Sequence, residues 1–396
     1  MKTELDNILA ENNVDALFLY SDSSKDANMY YLTQFFAQDA FIYLKKIDRE
    51  PIIVVSQMEQ PRAQKQSSVK NVKSYFDYNY QQVVKSVKNP QRGGFKFITT
   101  LVEKELGKGS KICVPSNFPL LVADFLRNEG LTITPMVGVV EKARETKDPQ
   151  EVEAIKKIQQ INKKVTSEAI DLIANSECGA NKTLLHDGKP FTVGKMKAIF
   201  GHKLLEDGCL PEEDIIVACG PKGSDPHYSG EADDKLKAGE PIILDVYPRS
   251  IQKRYWTDMT RTVVKGKAST EIKKMFDAVF EAKNASLDAV HAGAIGTEVY
   301  DVCCDVLERN GYQTTRNGQR VTVGMTHGLG HGVGLQIHES PRINEFSASP
   351  LKEHVVVTIE PGVYDPKVGG VRLEDIIEVT KSGHNNLTSM ETRLEI

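Results

Sequence analysis

Through the first 140 or so residues, short apolar runs alternate with amphipathic stretches. VDALFLY, AFIYLKK and EPIIVVS predict strands, while KFITTLVEKELG and FPLLVADFLRNEG predict helices, each stopped by a glycine. That alternation predicts an α/β domain. After Asp148 the period changes, and apolar residues recur at 152, 155, 158, 161 and 165, the spacing of a buried helical stripe. Asp148, Pro149 and Glu151 supply an N-cap acid, a first-turn proline and the acid of a capping box. The domain boundary is placed just before this helix, giving domains 1–145 and 146–396. Segment 176–212 is polar and Gly-rich, with one helix predicted over 192–206.

From residue 213 the pattern becomes strands with acids at their ends. IIVACG, PIILDVYP and YWTDMTRTVVKG are followed by two amphipathic stretches, TEIKKMFDAVFEAKNASLDAV and TEVYDVCCDVLERNG, then by KEHVVVTIEPGVY and GGVRLEDIIEVTKSG. The last pair of strands rhymes with the earlier pair. In each, an apolar strand ends in an acid, Asp245 or Glu360, and a second strand carries another, Asp258 or Glu374, 13 or 14 residues on. The pattern predicts a duplicated α+β domain that brings two carboxylates from each half to one centre.

Between the halves lies HGLGHGVGLQIHE, residues 327–339, with three of the nine histidines. Glycines at 328, 330, 332 and 334 disfavour a helix, each costing roughly 1 kcal/mol against alanine, so His327 and His331 are not a helical metal pair. In an extended chain, alternation puts His327 and His331 on one face and His338 on the other. The glycines let other backbone, a ligand or a substrate come close. Ligands, proton carriers and histidines that only satisfy buried hydrogen bonds all remain open on this pattern alone.

Composition narrows the partners. With 40% hydrophobic and 26% charged residues the chain reads as an ordinary globular protein, and a formal charge of −4 offers no basic field for nucleic acid. The opening MKTELDNILAENN is acidic with no apolar core, so no secretory signal is expected, nor any membrane span. Six scattered cysteines without CxxC spacing fit buried free thiols in a reducing cytoplasm.

Four buried acids need partners. Arg261 and Arg372 lie close in sequence and could offset some of them as structural ion pairs. Alternatively, four carboxylates balance two divalent cations, and one added imidazole makes an oxygen-rich site suited to Mn, Co, Fe or Zn rather than Cu. Two metals sharing bridging carboxylates can activate water without a protein nucleophile.

ILDVYP…YWTDMTRTVV, GLGHGVGLQIHE, TIEPGVY and GGVRLED resemble the metal-binding motifs of the pita-bread metallopeptidases, and within them the Xaa-Pro peptidases, prolidase and aminopeptidase P. The resemblance covers about 150–396, and it implies a creatinase-like N-terminal α/β domain before a pseudo-two-fold pita-bread catalytic domain. It implies that Asp245 binds one metal, that Asp258 and Glu374 bridge, and that His331 and Glu360 bind the second. Glu360 would also handle protons, His227 would contact substrate near the scissile bond, and His338 would steady the tetrahedral intermediate. His327, Tyr364 and Arg372 fall at substrate-side positions, Arg372 also supporting the ligands. The implied activity is hydrolysis before proline by a cytoplasmic homodimer, with two divalent ions, manganese or cobalt first and zinc or iron next. A non-prolyl aminopeptidase, or a non-catalytic pita-bread protein binding a peptide or partner, are the alternatives. The chain departs from the pattern at Tyr247, where the family has glycine, and in a longer 246–257 loop. Lys253 or Arg254 in that loop is placed to meet a substrate carboxylate and favour dipeptides; Arg372 or a histidine serving instead, with the loop pointing into solvent, is the equal alternative.

Overall fold

The computed structural model describes residues 2–318 and 320–396. It forms two compact units, Met1–Arg144 and Glu145–Ile396. In the first, strands β1 (Ala16–Ser21), β2 (Phe41–Lys46), β3 (Ile52–Val55), β4 (Asn71–Ser74), β5 (Lys111–Pro115) and β6 (Thr132–Met136) make one mixed sheet in the order β4-β3-β2-β1-β5-β6. Helices α1 (Pro90–Leu106) and α2 (Leu120–Asn128) bury Phe97, Leu101, Val122 and Leu126 in a core shared with Phe18 and Ile112. The strands and helices predicted for this region are present, and the unit is α/β as their alternation implied.

The second unit opens with α3 (Pro149–Asn175), started by the Asp148–Glu151 capping box. Its buried face is not purely apolar. Beside Ile155, Ile158 and Val165 it carries Gln159, Asn162 and Thr166, all fully buried. A helix α4 (Val193–Glu206) follows, capped by Thr192.

The acid-bearing strands fall into two separate sheets. β7 (Ile216–Cys219), β8 (Ile242–Asp245) and β9 (Thr260–Val263) form one antiparallel sheet in the order β7-β8-β9. β10 (Gly330–Gly332), β11 (Glu339–Ile343), β12 (Val356–Ile359), β13 (Gly362–Asp365), β14 (Gly369–Arg372), β15 (Asp375–Thr380) and β16 (Gly383–Asn386) supply the other half. Of these, β11-β10-β12-β15-β16 form a second antiparallel sheet. The internal rhyme is structural: Asp245 pairs with Thr260 across β8 and β9, and Ile359 pairs with Asp375 across β12 and β15. In both halves one acid closes the first strand and the other lies just before its antiparallel partner.

Helices α5 (Thr270–Ala289) and α6 (Gly296–Arg309) pack behind the second half, where Val279, Cys303, Leu307, Val357 and Ile377 have no exposure. That apolar backing forces polar side chains at the strand ends to turn toward the opposite side. Cys113, Cys209, Cys303 and Cys304 are buried free thiols, whereas Cys178 is exposed, against the expectation that all would be buried.

Candidate active site

The two halves are stitched where their acids lie. The Glu374 amide donates to the Thr260 carbonyl at 3.1 Å. The Thr262 hydroxyl accepts from the Arg372 amide at 3.0 Å and donates to its carbonyl at 2.9 Å. These bonds hold the Asp258–Thr260 and Arg372–Glu374 segments side by side. From α3, Gln159 donates to the Asp258 carbonyl at 3.3 Å and Asn162 to the Val246 carbonyl at 2.5 Å, while the Thr257 hydroxyl donates to the Gln159 side-chain oxygen. The buried amides of α3 thus fasten both ends of the loop between the first two acids. The apolar count along this helix did not reveal them.

Asp245, Asp258, Glu374 and His331 are 7%, 5%, 1% and 4% exposed, and all line a cavity of about 630 Å³ together with Glu360. Potential ligand atoms of Asp258, His331 and Glu374 lie within 4.8 Å of one another. His331 Nε2 is 3.4 Å from Glu360 Oε1 and 3.6 Å from Asp258 Oδ2. Asp245 sits against Arg372, whose Nη2 donates to Oδ2 at 2.6 Å.

Three buried carboxylate oxygens in this set accept no hydrogen bond: Asp245 Oδ1, Asp258 Oδ1 and Glu374 Oε1. A buried anion without a counter-charge is costly or forced neutral. Accordingly, burial and the neighbouring acids push the carboxyls of Asp258 and Glu374 well above the usual range. Burial raises Glu360 to about 8, with Asp245 adding to it against the opposing field of Arg372. His331 Nδ1 faces the Gly332 carbonyl at 3.1 Å and must donate to it, which leaves the Nε2 lone pair aimed at the acids. Burial, with His338 beside it, lowers His331 to about 3 and keeps it neutral. Orphaned oxygens around a neutral imidazole nitrogen are a donor set that divalent cations fit.

Arg261 does not offset the four acids, as sequence proximity had suggested. It donates to Asp375 Oδ1 at 2.8 Å and to the Glu374 carbonyl at 2.6 Å, and Lys283 donates to Asp375 Oδ2 at 2.7 Å. Asp375 points away from the cavity because strand alternation sends it opposite to Glu374. Burial alone would raise the Asp375 carboxyl, but Arg261 and Lys283 outweigh it and hold it below the ordinary range. Its stabilisation is present above the ordinary carboxyl pKa and is lost as pH falls through the lower folded value. Asp375→Ala leaves two buried cations without their carboxylate and is expected to cost about 3 kcal/mol or more. Urea unfolding measures this, and a loss under about 1 kcal/mol would contradict it.

The histidines take different places from those the alternation gave. Only Gly330–Gly332 is a strand, with a register break between His331 and Gly332, and the chain then bends back. His338 therefore meets His331, ring centroids 4.4 Å apart, instead of facing away. The glycines answer to backbone: a Cβ on Gly330 would sit 2.0 Å from the Thr358 carbonyl oxygen, and one on Gly332 2.3 Å from that of Ser340. His327 Nδ1 donates to the Gly328 carbonyl at 2.7 Å, so Nε2 accepts from the Tyr364 hydroxyl at 2.9 Å. That hydroxyl in turn accepts from Arg372 Nη1 at 2.7 Å. Burial and Arg372 lower His327 to about 4, fixing it neutral. Burial also lowers His338. The His227 and His338 side chains are exposed to the cavity and make no hydrogen bond to a described residue.

Of the two placements open for the loop cations, the structure has the one away from the cavity. Arg249–Ser250 pairs with Cys209–Leu210, and the Ile251 amide donates to the Gly208 carbonyl at 3.0 Å. This carries the tip of the loop to the end of α4, and neither Lys253 nor Arg254 lines the cavity. Tyr247 does line it, its hydroxyl donating to the Asp214 carbonyl. Sequence reasoning also missed Arg342, which lines the cavity from β11 opposite His331 and whose side chain makes no hydrogen bond or ion pair to a described residue. No motif marks Arg342; only the hairpin of β10 and β11 reveals its direction.

Comparisons with known proteins give the family of the chain. Residues 153–381 match metallopeptidase family M24, and residues 2–146 match the creatinase/prolidase N-terminal domain. The chain is 32% identical over 258 residues to the Xaa-Pro dipeptidase of Pyrococcus furiosus, covering 63% of this chain and 70% of that one. It is 28% identical to the Xaa-Pro dipeptidase of Pyrococcus horikoshii over 82% of this chain and 98% of the other. The solved structure of an Xaa-Pro dipeptidase from Bacillus anthracis superposes with a TM-score of 0.81 at 24% identity, covering 100% and 99% of the two chains. The protein belongs to metallopeptidase family M24. It is a metallopeptidase in which a creatinase-type N-terminal domain precedes a pita-bread domain.

Proposed function

We propose that this metallopeptidase hydrolyses the peptide bond between an N-terminal residue and proline, using two divalent ions held by Asp245, Asp258, His331, Glu360 and Glu374. The observation that carries the reading is the set of orphaned oxygens on Asp245, Asp258 and Glu374 around the neutral His331. The similarity to proteins named Xaa-Pro dipeptidase supports the choice of bond. Residues 1–145 are taken as the N-terminal domain and 146–396 as the catalytic one. A cytoplasmic homodimer acting on free peptides accompanies this reading, and no described helix is long and apolar enough to cross a membrane.

When bound, the ions polarise the scissile carbonyl and lower the pKa of water, with manganese or cobalt the first choice and zinc or iron next. The chain's own residues do the rest. His227 and His338, with unengaged ring nitrogens in the cavity, orient the substrate and donate to the developing oxyanion. Glu360 takes the proton of the attacking water on a carboxylate oxygen and returns it to the proline nitrogen, which must leave as an amine. Arg372 holds Asp245 in place and orders Tyr364 and His327 beside the substrate.

The test is hydrolysis by Mn-reconstituted protein of a panel of Xaa-Pro and Xaa-Ala peptides. Cleavage confined to Xaa-Pro is expected, and faster cleavage of Xaa-Ala would replace the reading with a non-prolyl aminopeptidase. Arg342 is the uncommitted cation on the wall, so it is expected to receive the carboxylate of a dipeptide. Arg342→Ala should lower kcat/KM for Xaa-Pro dipeptides about tenfold more than for Xaa-Pro-Zaa tripeptides. A Lys253→Ala, Arg254→Ala double variant should leave that ratio where it was. The reverse pattern would return the role to the loop.

A further inference from the structure

The cavity carries one anion that neither the candidate metal centre nor any ion pair uses. Glu212, Glu213 and Asp214 run together ahead of β7. Glu212 is bound by Arg249, and Asp214 by Lys197 at 2.7 Å. The Tyr247 hydroxyl fastens the Asp214 backbone. The segment is therefore held on both sides while Glu213, exposed and lining the cavity, has no hydrogen-bond or ion-pair partner among the described residues. Ile216 and Tyr247 line the cavity with it.

The position of this acid relative to the uncommitted cation matters. Glu213 precedes the sheet that ends in Asp245, whereas Arg342 belongs to the sheet that carries His331. One cavity is thus lined by an acid from one half and a cation from the other, neither partnered among the described residues. A peptide whose carboxylate meets Arg342 would reach with its N-terminal residue toward the half that supplies Glu213. Glu213 shares the wall with the aromatic ring of Tyr247 and the branched side chain of Ile216, along which a long methylene stem can pack.

We infer that Glu213 selects peptides whose N-terminal residue carries a cationic side chain, lysine or arginine, ahead of proline. The inference rests on the reading of the site as an Xaa-Pro peptidase. The charge pair is partly solvated, so its effect is modest and screened by salt.

The experiment compares kcat/KM for Lys-Pro and Met-Pro, side chains of similar length that differ in charge, in Mn-loaded protein. Lys-Pro is expected to be favoured. Glu213→Gln should lower the Lys-Pro to Met-Pro ratio by about fivefold, and Glu213→Lys should turn the preference toward Glu-Pro. Glu212→Gln, which removes an equal charge facing Arg249, should leave the ratio unchanged. A ratio indifferent to Glu213, or an equal fractional fall for both substrates, overturns the inference; the latter would mean that the acid reads the α-ammonium. Were Lys-Ala and Met-Ala cleaved in place of the prolyl pair, with the same Glu213-dependent ratio, the selection of a cationic side chain by Glu213 would stand and the proline reading would fall. Protein that hydrolyses neither series would sink both.

Discussion

Glu374→Gln is expected to lose bound metal and peptide hydrolysis together, with activity falling by roughly 10³-fold or more, since a bound metal supplies several kcal/mol. Glu374 is 1% exposed, accepts one hydrogen bond from Thr260 at 2.7 Å on Oε2, and leaves Oε1 without a partner. The amide keeps the volume and one oxygen, so the fold should survive. It removes the negative charge and turns an acceptor toward Asp258 and His331 into a donor or a neutral oxygen. A neutral side chain cannot balance or bridge cations as a carboxylate does. The metal-free variant should be no less stable than metal-free wild type, because it relieves charge crowding among buried acids. Metal content on a dialysed sample, thermal melting with and without Mn, and Xaa-Pro hydrolysis provide three separate readouts. A variant that kept full metal content and activity would remove Glu374 from the centre.

The second large effect separates two rings that touch. His331→Ala should lower metal occupancy, because among the described residues its Nε2 is the only imidazole nitrogen within 4.0 Å of a carboxylate oxygen of the acid cluster. His338→Ala should keep the metals and lower kcat by roughly 10², the usual cost of removing one oxyanion donor. The rings lie 4.4 Å apart, so a crude steric effect would touch both properties in both variants. The split between metal content and kcat is the diagnostic. Equal metal loss in the two variants would mean that the roles are assigned wrongly.

The acids were legible because a buried strand that ends in a carboxylate, repeated at nearly the same separation, violates the ordinary pattern twice in the same way. The second half's order, with the acids framing paired strands, follows from the same repeat. His338 was misread for a local reason. Alternation holds only while a chain stays extended, and the glycines that let His331 approach Thr358 also let the chain break register after it. Gln159 and Asn162 were hidden because a helical stripe is counted by apolar residues, while these two face inward to satisfy the backbone beside Asp258 and Val246. Lys253 and Arg254 are near the first ligand in sequence, but a pairing with Cys209–Leu210 carries their loop away. Arg342 and Glu213 sit in ordinary sequence and become distinctive only as charges left without partners on a cavity wall.

The most direct test of the central claim measures metal content and Xaa-Pro hydrolysis on the same samples. Protein stripped by a chelator is titrated with Mn, each point being analysed for bound metal and for kcat/KM on one Xaa-Pro dipeptide. Activity should be absent in the stripped protein and rise to its plateau as two ions per chain are bound. Full Xaa-Pro hydrolysis by protein that retains no metal would contradict the account.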